Sequence, residues 1–171
     1  LIHGKEVAGM IVNPNAMTPR DLEQIVAATK ANMPIVALNY THPDVYSVTV
    51  DKLNGTRAVL EHLLKLGHRR IACITYAPAE NLPPRGRLTV YHTVLEDAGI
   101  PYDPALVRYG AYDPDTGYTA LQSLLDEGAS FTAVYAMNDM MAFGAMAALR
   151  DAGLRVPEDV AVVGFDDIRL A

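Results

Sequence analysis

Apolar residues along this chain fall into short continuous runs separated by stretches of helical periodicity. Seven runs read as strands: VAGMIV (7–12), PIVAL (34–38), YSVTV (46–50), RIACIT (70–75), ALVRYG (105–110), FTAVYA (131–136) and DVAVVGF (159–165). They are rich in Val, Ile and Ala and do not alternate with polar residues, as expected of strands covered on both faces. Five segments, 19–32, 53–67, 85–99, 114–127 and 138–152, are predicted as helices. In the second, Val59, Leu60, Leu63, Leu64 and Leu66 recur at helical spacing, and in the fourth Leu121, Leu124 and Leu125 do the same. Gly67, Gly99, Gly128 and Gly153 each stand where a helix should end, the place of a left-handed C-cap.

Regular alternation of strand and helix implies right-handed βαβ crossovers and parallel sheets with helices on both faces. The predicted class is therefore α/β, with parallel doubly wound (Rossmann-like) sheets. HPDVYSVTVD breaks the rhythm, since it holds a short strand with no helix before it. It marks a boundary near Asp51, with one unit over 1–50 and a second over 51–171.

In such sheets, ligands bind outside the carboxyl ends of the strands. Those ends carry Asn13, Asn39, Tyr76, Tyr112, Asn138 and Asp166. Amides, one carboxylate and two aromatic rings suit a neutral ligand that bears hydroxyls or is planar, because amides and carboxylates accept from hydroxyls and a ring packs on a C–H face. The competing expectation is structural, because Asn and Asp are also preferred helix caps and turn formers. Asp139 is expected to cap helix 138–152. Asn13 and Asn39 stand open between turn and ligand contact, and Asp167 fits an ordinary surface turn. Arg85 and Arg87 lie in the first turns of helix 85–99, where a cation opposes the helix dipole, and for Arg87 this points to gripping an oxygen-bearing ligand. Arg69 and Arg70 instead follow the end of helix 53–67 and complement its dipole.

Helix 138–152 contains MMAFGAMAAL (140–149), a stretch without a polar side chain. A helix on a sheet needs only an apolar stripe. Met141, Ala145, Ala148 and Ala152 can face the sheet. Phe143, Met146 and Ala147 then point elsewhere, toward an interface or under a neighbouring segment.

The composition narrows the function. Half of the 171 residues are hydrophobic, enough for a real core, and no apolar run approaches the length of a membrane span. A net charge of −6 argues against this piece gripping nucleic acid by itself. The single cysteine, Cys73, lies in a predicted strand as a buried structural thiol. There is no G-x-S-x-G elbow, Walker loop, G-x-G-x-x-G turn, HExxH or CxxC, and the five histidines are scattered. No catalytic residue, metal or cofactor is expected. Asp166 and Asp167 could hold Mg²⁺, but the other strand ends offer amides and tyrosines where phosphoryl chemistry wants a second carboxylate cluster.

GTRAVLEHLLKLGHRRIACI (55–74), AVYAMNDMMAFGAMAALRDAGL (133–154) and VPEDVAVVGFDDI (156–168), with AGMIVNP (8–14) and PIVALN (34–39), strongly resemble the lactose/galactose-repressor (LacI/GalR) family of bacterial transcriptional regulators. The resemblance implies a periplasmic-binding-protein-like type I core of two lobes, with a small-molecule effector, a sugar or related polyol, bound between them. By resemblance Arg87, Asn138 and Asp166 match effector-contacting positions, Tyr112 a ring that stacks on the ligand, and Asn13 and Asn39 first-lobe positions near the cleft. Where the family usually has Gly this chain has Val90, which puts the packing of helix 85–99 in question. The resemblance further implies a cytoplasmic homodimer with the Phe143 position in its contact, and operator DNA bound through an N-terminal helix-turn-helix that this sequence does not contain. The sequence is expected to be truncated at both ends of that core. The alternatives are a periplasmic solute-binding protein of a transporter and, less favoured, a Mg²⁺-dependent hydrolase.

Overall fold

The computed structural model describes residues 7–13, 17–76 and 86–171. Arg85 therefore lies outside the described residues. The chain divides into two compact units, Leu1–Asp51 and Lys52–Ala171.

In the first unit β1 (Met10–Val12), β2 (Ile35–Leu38) and β3 (Tyr46–Val48) form a parallel sheet in that order. Helix α1 (Pro19–Lys30) joins β1 to β2. A capping box starts it: the Thr18 hydroxyl accepts from the Asp21 amide, and the Asp21 carboxylate accepts from the Thr18 amide at 2.9 Å. Val12, Ile25, Ile35, Ala37 and Val45 make the small core on the α1 side of the sheet. The link from β2 to β3 contains no helix. It turns at Asn39 and closes through an antiparallel bridge between His42 and Val45.

The second unit is a four-stranded parallel sheet in the order β5-β4-β6-β7. Its elements are α2 (Lys52–Lys65), β4 (Ile71–Tyr76), α3 (Arg87–Asp97), β5 (Val107–Gly110), α4 (Pro114–Asp126), β6 (Ala133–Ala136), α5 (Asp139–Asp151) and β7 (Ala161–Val163). From β4 the chain goes outward to β5, then returns past β4 to β6 and on to β7. Right-handed crossovers therefore place α3 on one face and α4 and α5 on the other, and α2 packs beside α3. A continuous core of buried residues, including Leu60, Ile71, Ile74, Leu121, Tyr135 and Leu149, fills the layers.

Most elements fall where the pattern predicts them, and all four predicted C-cap glycines take positive φ. The Arg69 guanidinium donates to the Leu64 carbonyl at 2.9 Å and so caps the end of α2. Val90 is part-buried against the core in an unbroken α3. Helices α4 and α5 cross closely, because a Cβ on Gly144 would come within 1.9 Å of the Pro114 carbonyl oxygen.

Several expectations need correction. The predicted strand 105–110 begins only at Val107, since the Asp103 carboxylate accepts from the Ala105 amide and winds Pro104–Leu106 into a 3-10 turn. The run 159–165 is strand only over Ala161–Val163. Ala152 does not face the sheet but is the exposed C-cap of α5. In the first unit, helix covers one face of the sheet only among the described residues: Ile11, Tyr46 and Val48 lie exposed on the other.

Candidate functional site

In the second sheet β4 and β6 are neighbours whose chains leave in opposite directions, which opens a crevice at their carboxyl ends. Tyr76 ends β4, Arg87 begins α3, Met137 and Asn138 follow β6, and Asp166 follows β7. The backbone is strained at this edge. Among the described residues five non-glycines have positive φ, and three of them belong to this edge, Tyr112 (+52°), Asp166 (+111°) and Asp167 (+53°), while Asn39 (+55°) follows β2 in the first unit. Such conformations cost of order 1–3 kcal/mol each and gather where function holds them.

Arg87 does not reach into solvent as an unattached fork. Its Nε donates to the Thr56 hydroxyl at 2.9 Å, its Nη1 to the Met137 carbonyl at 2.6 Å, and its Nη2 to the Tyr135 hydroxyl. Its guanidinium lies over the Phe165 ring, 4.0 Å from the centroid. None of these partners is a carboxylate, so this part-buried cation is held by neutral acceptors and aromatic faces. A Cβ on Gly55 would come within 2.8 Å of the Phe165 ring, so the small residue there makes the seat for it.

Tyr76 donates from its hydroxyl to the Met137 carbonyl at 3.0 Å. With Arg87 Nη1 this fills both acceptor positions of that oxygen. The Tyr76 ring stacks on Tyr112 at a centroid distance of 4.0 Å and 14° between planes. The two tyrosines thus form one platform, with Tyr112 on its exposed side. Burial, then the neighbouring Tyr112, pushes the Tyr76 phenol well above its usual range, so it stays protonated.

Asn138, expected as a ligand contact, is buried, and its side-chain oxygen accepts from the Met141 amide at 2.7 Å. It is therefore the N-cap of α5, and the cap expected of Asp139 is corrected to its neighbour. Asp139 instead clamps the turn after β7. Its amide donates to the Phe165 carbonyl, and its carboxylate accepts from the Ile168 amide, both at 2.9 Å. This clamp draws Phe165 out of the β7 ladder and presents Asp166 at the edge. Asp166 is exposed, yet partial desolvation raises its carboxyl above the ordinary range; Arg87 opposes the shift and Asp139 adds to it.

Of the residues predicted from sequence, Tyr76, Arg87, Tyr112, Asn138 and Asp166 stand at the carboxyl edge of this sheet, with Tyr76 and Tyr112 in ring contact. Asn13 and Asn39 belong to the first unit. Asn13 is exposed past β1. Asn39 forms a turn, its side-chain oxygen accepting from the Val50 amide at 3.2 Å. Thr56, Tyr135, Met137 and Phe165 were missed. A phenol inside the otherwise small aliphatic run AVYA was the one available signal. Phe143, Met146 and Ala147 line an open groove with Leu154 and Val156 on the outer side of α5, where Met146 is 40% exposed. Among the described residues, no group of three or more His, Cys, Asp or Glu is placed to hold a metal, and no helix is long and apolar enough to cross a membrane.

A doubly wound parallel sheet with polar side chains at its switch point defines a Rossmann-like lobe. The periplasmic binding protein-like domain matches residues 60–171. The chain belongs to that family, among the cores of the LacI-type transcriptional regulators. It is 41% identical over 134 residues to the HTH-type transcriptional regulator CelR of Thermobifida fusca, covering 78% of this chain and 39% of that protein. The structure of a CelR–cellobiose complex superposes with a TM-score of 0.77 at 35% identity, over 96% of this chain and 50% of that one. The lac repressor dimer bound to operator and the anti-inducer ONPF superposes with a TM-score of 0.75 at 32% identity, over 95% of this chain and 56% of that one. The chain spans about half or less of the length of such curated relatives, from 39% to 50%.

Proposed function

We propose that this chain is the ligand-sensing core of a bacterial DNA-binding transcriptional regulator and that it works by binding rather than by catalysis. The ligand is a small neutral molecule rich in hydroxyls, a sugar or related polyol, held at the carboxyl edge of the second sheet. The observation that carries this reading is Arg87, a part-buried cation without a carboxylate partner among its bonds, set at the switch point beside the Asp166 carboxylate and the Tyr76–Tyr112 platform. A sugar offers what these groups lack: oxygens for the guanidinium, hydroxyl donors for the carboxylate and a C–H face for the ring. Asn138 contributes through the geometry of the α5 start as well as through any contact of its own. Operator binding belongs to the whole regulator, whose relatives are about twice this length.

Titration with neutral mono- and disaccharides, cellobiose first, tests the reading. Asp166→Ala should weaken binding by about 5- to 150-fold, the loss expected when a hydrogen-bonding partner of about 1–3 kcal/mol is removed. Saccharide binding that is indifferent to both Asp166 and Arg87 would place the site elsewhere.

The groove along Phe143, Met146 and Ala147 is proposed as the contact of an isologous dimer. Phe143→Asp should shift the full-length protein toward monomer in sedimentation, since it buries a charge without a partner. An unchanged dimer in that variant would put the interface on another face.

A further inference from the structure

Tyr135 stands in the middle of a fully buried strand, with its ring and hydroxyl at 0% exposure. A phenylalanine would bury the same ring without bringing a polar atom into the core. The hydroxyl therefore needs a reason, and its partners supply one. It shares a 2.8 Å hydrogen bond with the Thr56 hydroxyl, itself at 0% exposure, and it accepts from Arg87 Nη2. Thr56 in turn accepts from Arg87 Nε at 2.9 Å. Nε and Nη2 lie on one edge of the guanidinium, so two adjacent hydroxyls engage that edge as a matched pair. Nη1 is turned to the Met137 carbonyl, and the Phe165 ring covers one face of the guanidinium.

We infer that Tyr135 and Thr56 are positioning residues, a buried hydroxyl cradle that orients Arg87 for its ligand without neutralising it. Both are neutral acceptors. Burial pushes the Tyr135 phenol above its usual range, so it does not become a phenolate that would cancel the guanidinium charge. A carboxylate in the same place would hold Arg87 as firmly, but the resulting ion pair would compete with the ligand for the cation. The three bonds leave two of the five guanidinium N–H groups without a partner among the described residues. Orienting those donors in advance spares the ligand the cost of ordering a long side chain. The cradle's effect on affinity rests on the site proposed above; its hold on Arg87 does not.

The experiment therefore has two arms, both on the full chain. The first follows the Arg87 Nε–H resonance in ¹⁵N-resolved NMR without ligand, assigned by its loss in Arg87→Lys. It should exchange slowly with solvent in the wild type and markedly faster in Thr56→Val and Tyr135→Phe. An unchanged exchange rate in both variants, with the fold intact by amide spectra, would overturn the cradle whatever the ligand is. The second arm titrates cellobiose. Tyr135→Phe should weaken binding about 10-fold, as for loss of a hydrogen bond to a charged group, and should have no further effect in an Arg87→Lys background. An equal loss in both backgrounds would show that Tyr135 acts through the core and not through Arg87, and would overturn the positioning role. If the wild type fails to bind cellobiose or other neutral saccharides, the sugar reading fails and the first arm still decides the cradle.

Discussion

The two sheets are built from the same kind of strand and buried to different degrees. In the second unit, helices lie on both faces and β4 and β6 are enclosed almost from end to end. In the first, among the described residues, one helix serves three strands: Ile35 and Ala37 sink under α1 while Ile11 is 76% and Tyr46 79% exposed on the opposite face. The register shows that this is a property of the face. Ile11 pairs with Val36 and Val36 with Tyr46, so the exposed residues share one side of the pleat. A continuous apolar run thus shows what a strand can tolerate on its two sides. Among the described residues of this chain, which spans half or less of its curated relatives' length, helix covers both sides only in the second sheet.

This difference predicts where substitutions hurt. The largest effect belongs to the enclosed unit. Leu60→Ala removes a side chain with no exposure from beneath α2 and should cost about 2–5 kcal/mol in denaturant unfolding, transfer loss plus cavity. Cys73 offers a second reading of the same core. Burial pushes its thiol up to about 12 from a usual 9.0, leaving about 1000-fold less thiolate at neutral pH. It should resist disulfide reagents in the native chain and react at once in denaturant. Rapid native labelling, or a Leu60→Ala cost near zero, would break the contrast between the units.

A smaller effect follows at the site edge. Partial desolvation raises the Asp166 carboxyl, so its deprotonated fraction falls at a higher pH than for an ordinary aspartate. Saccharide binding that uses this carboxylate as acceptor should be full at neutral pH. As pH falls below a midpoint above 3.8, affinity should drop by about tenfold per pH unit. Asp166→Asn should flatten that limb. A midpoint below the ordinary value would mean that Arg87 outweighs desolvation.

The alternation of elements, the helix ends and the set of strand ends were legible in the sequence because each rests on local chemistry: apolar periodicity, capping residues and glycines at positive φ. What could not be read was how each polar group is used. Asn138 and Asp139 look alike in sequence, yet one caps α5 and the other clamps the Phe165–Ile168 turn, a choice made by β7 lying next to β6. Arg87 was legible as an unusual cation in a first helical turn. Its cradle was not, because Thr56 and Tyr135 are 79 residues apart and meet only when α2 packs on the sheet. The exposure of Ile11, Tyr46 and Val48 on the first sheet was hidden for the same reason, since coverage is a tertiary fact.

The smallest predicted effect is the sharpest test of the comparison between the sheets. Ile11→Ala changes a residue on the strand next to Ile35 by the same chemistry as Ile35→Ala, but on the opposite face. Ile35 is 1% exposed, and its truncation should cost about 2–5 kcal/mol. Ile11 loses little water-excluded surface on truncation, so its cost should stay within about 0.5 kcal/mol, as for surface changes generally. The pair is internally controlled, since side-chain type, sheet and strand propensity are matched and only burial differs. Urea unfolding of both variants at equal protein concentration measures the difference. A core-like cost at Ile11 would mean that in solution this face is covered as fully as β4 and β6 are, and the distinction between the two sheets would fall.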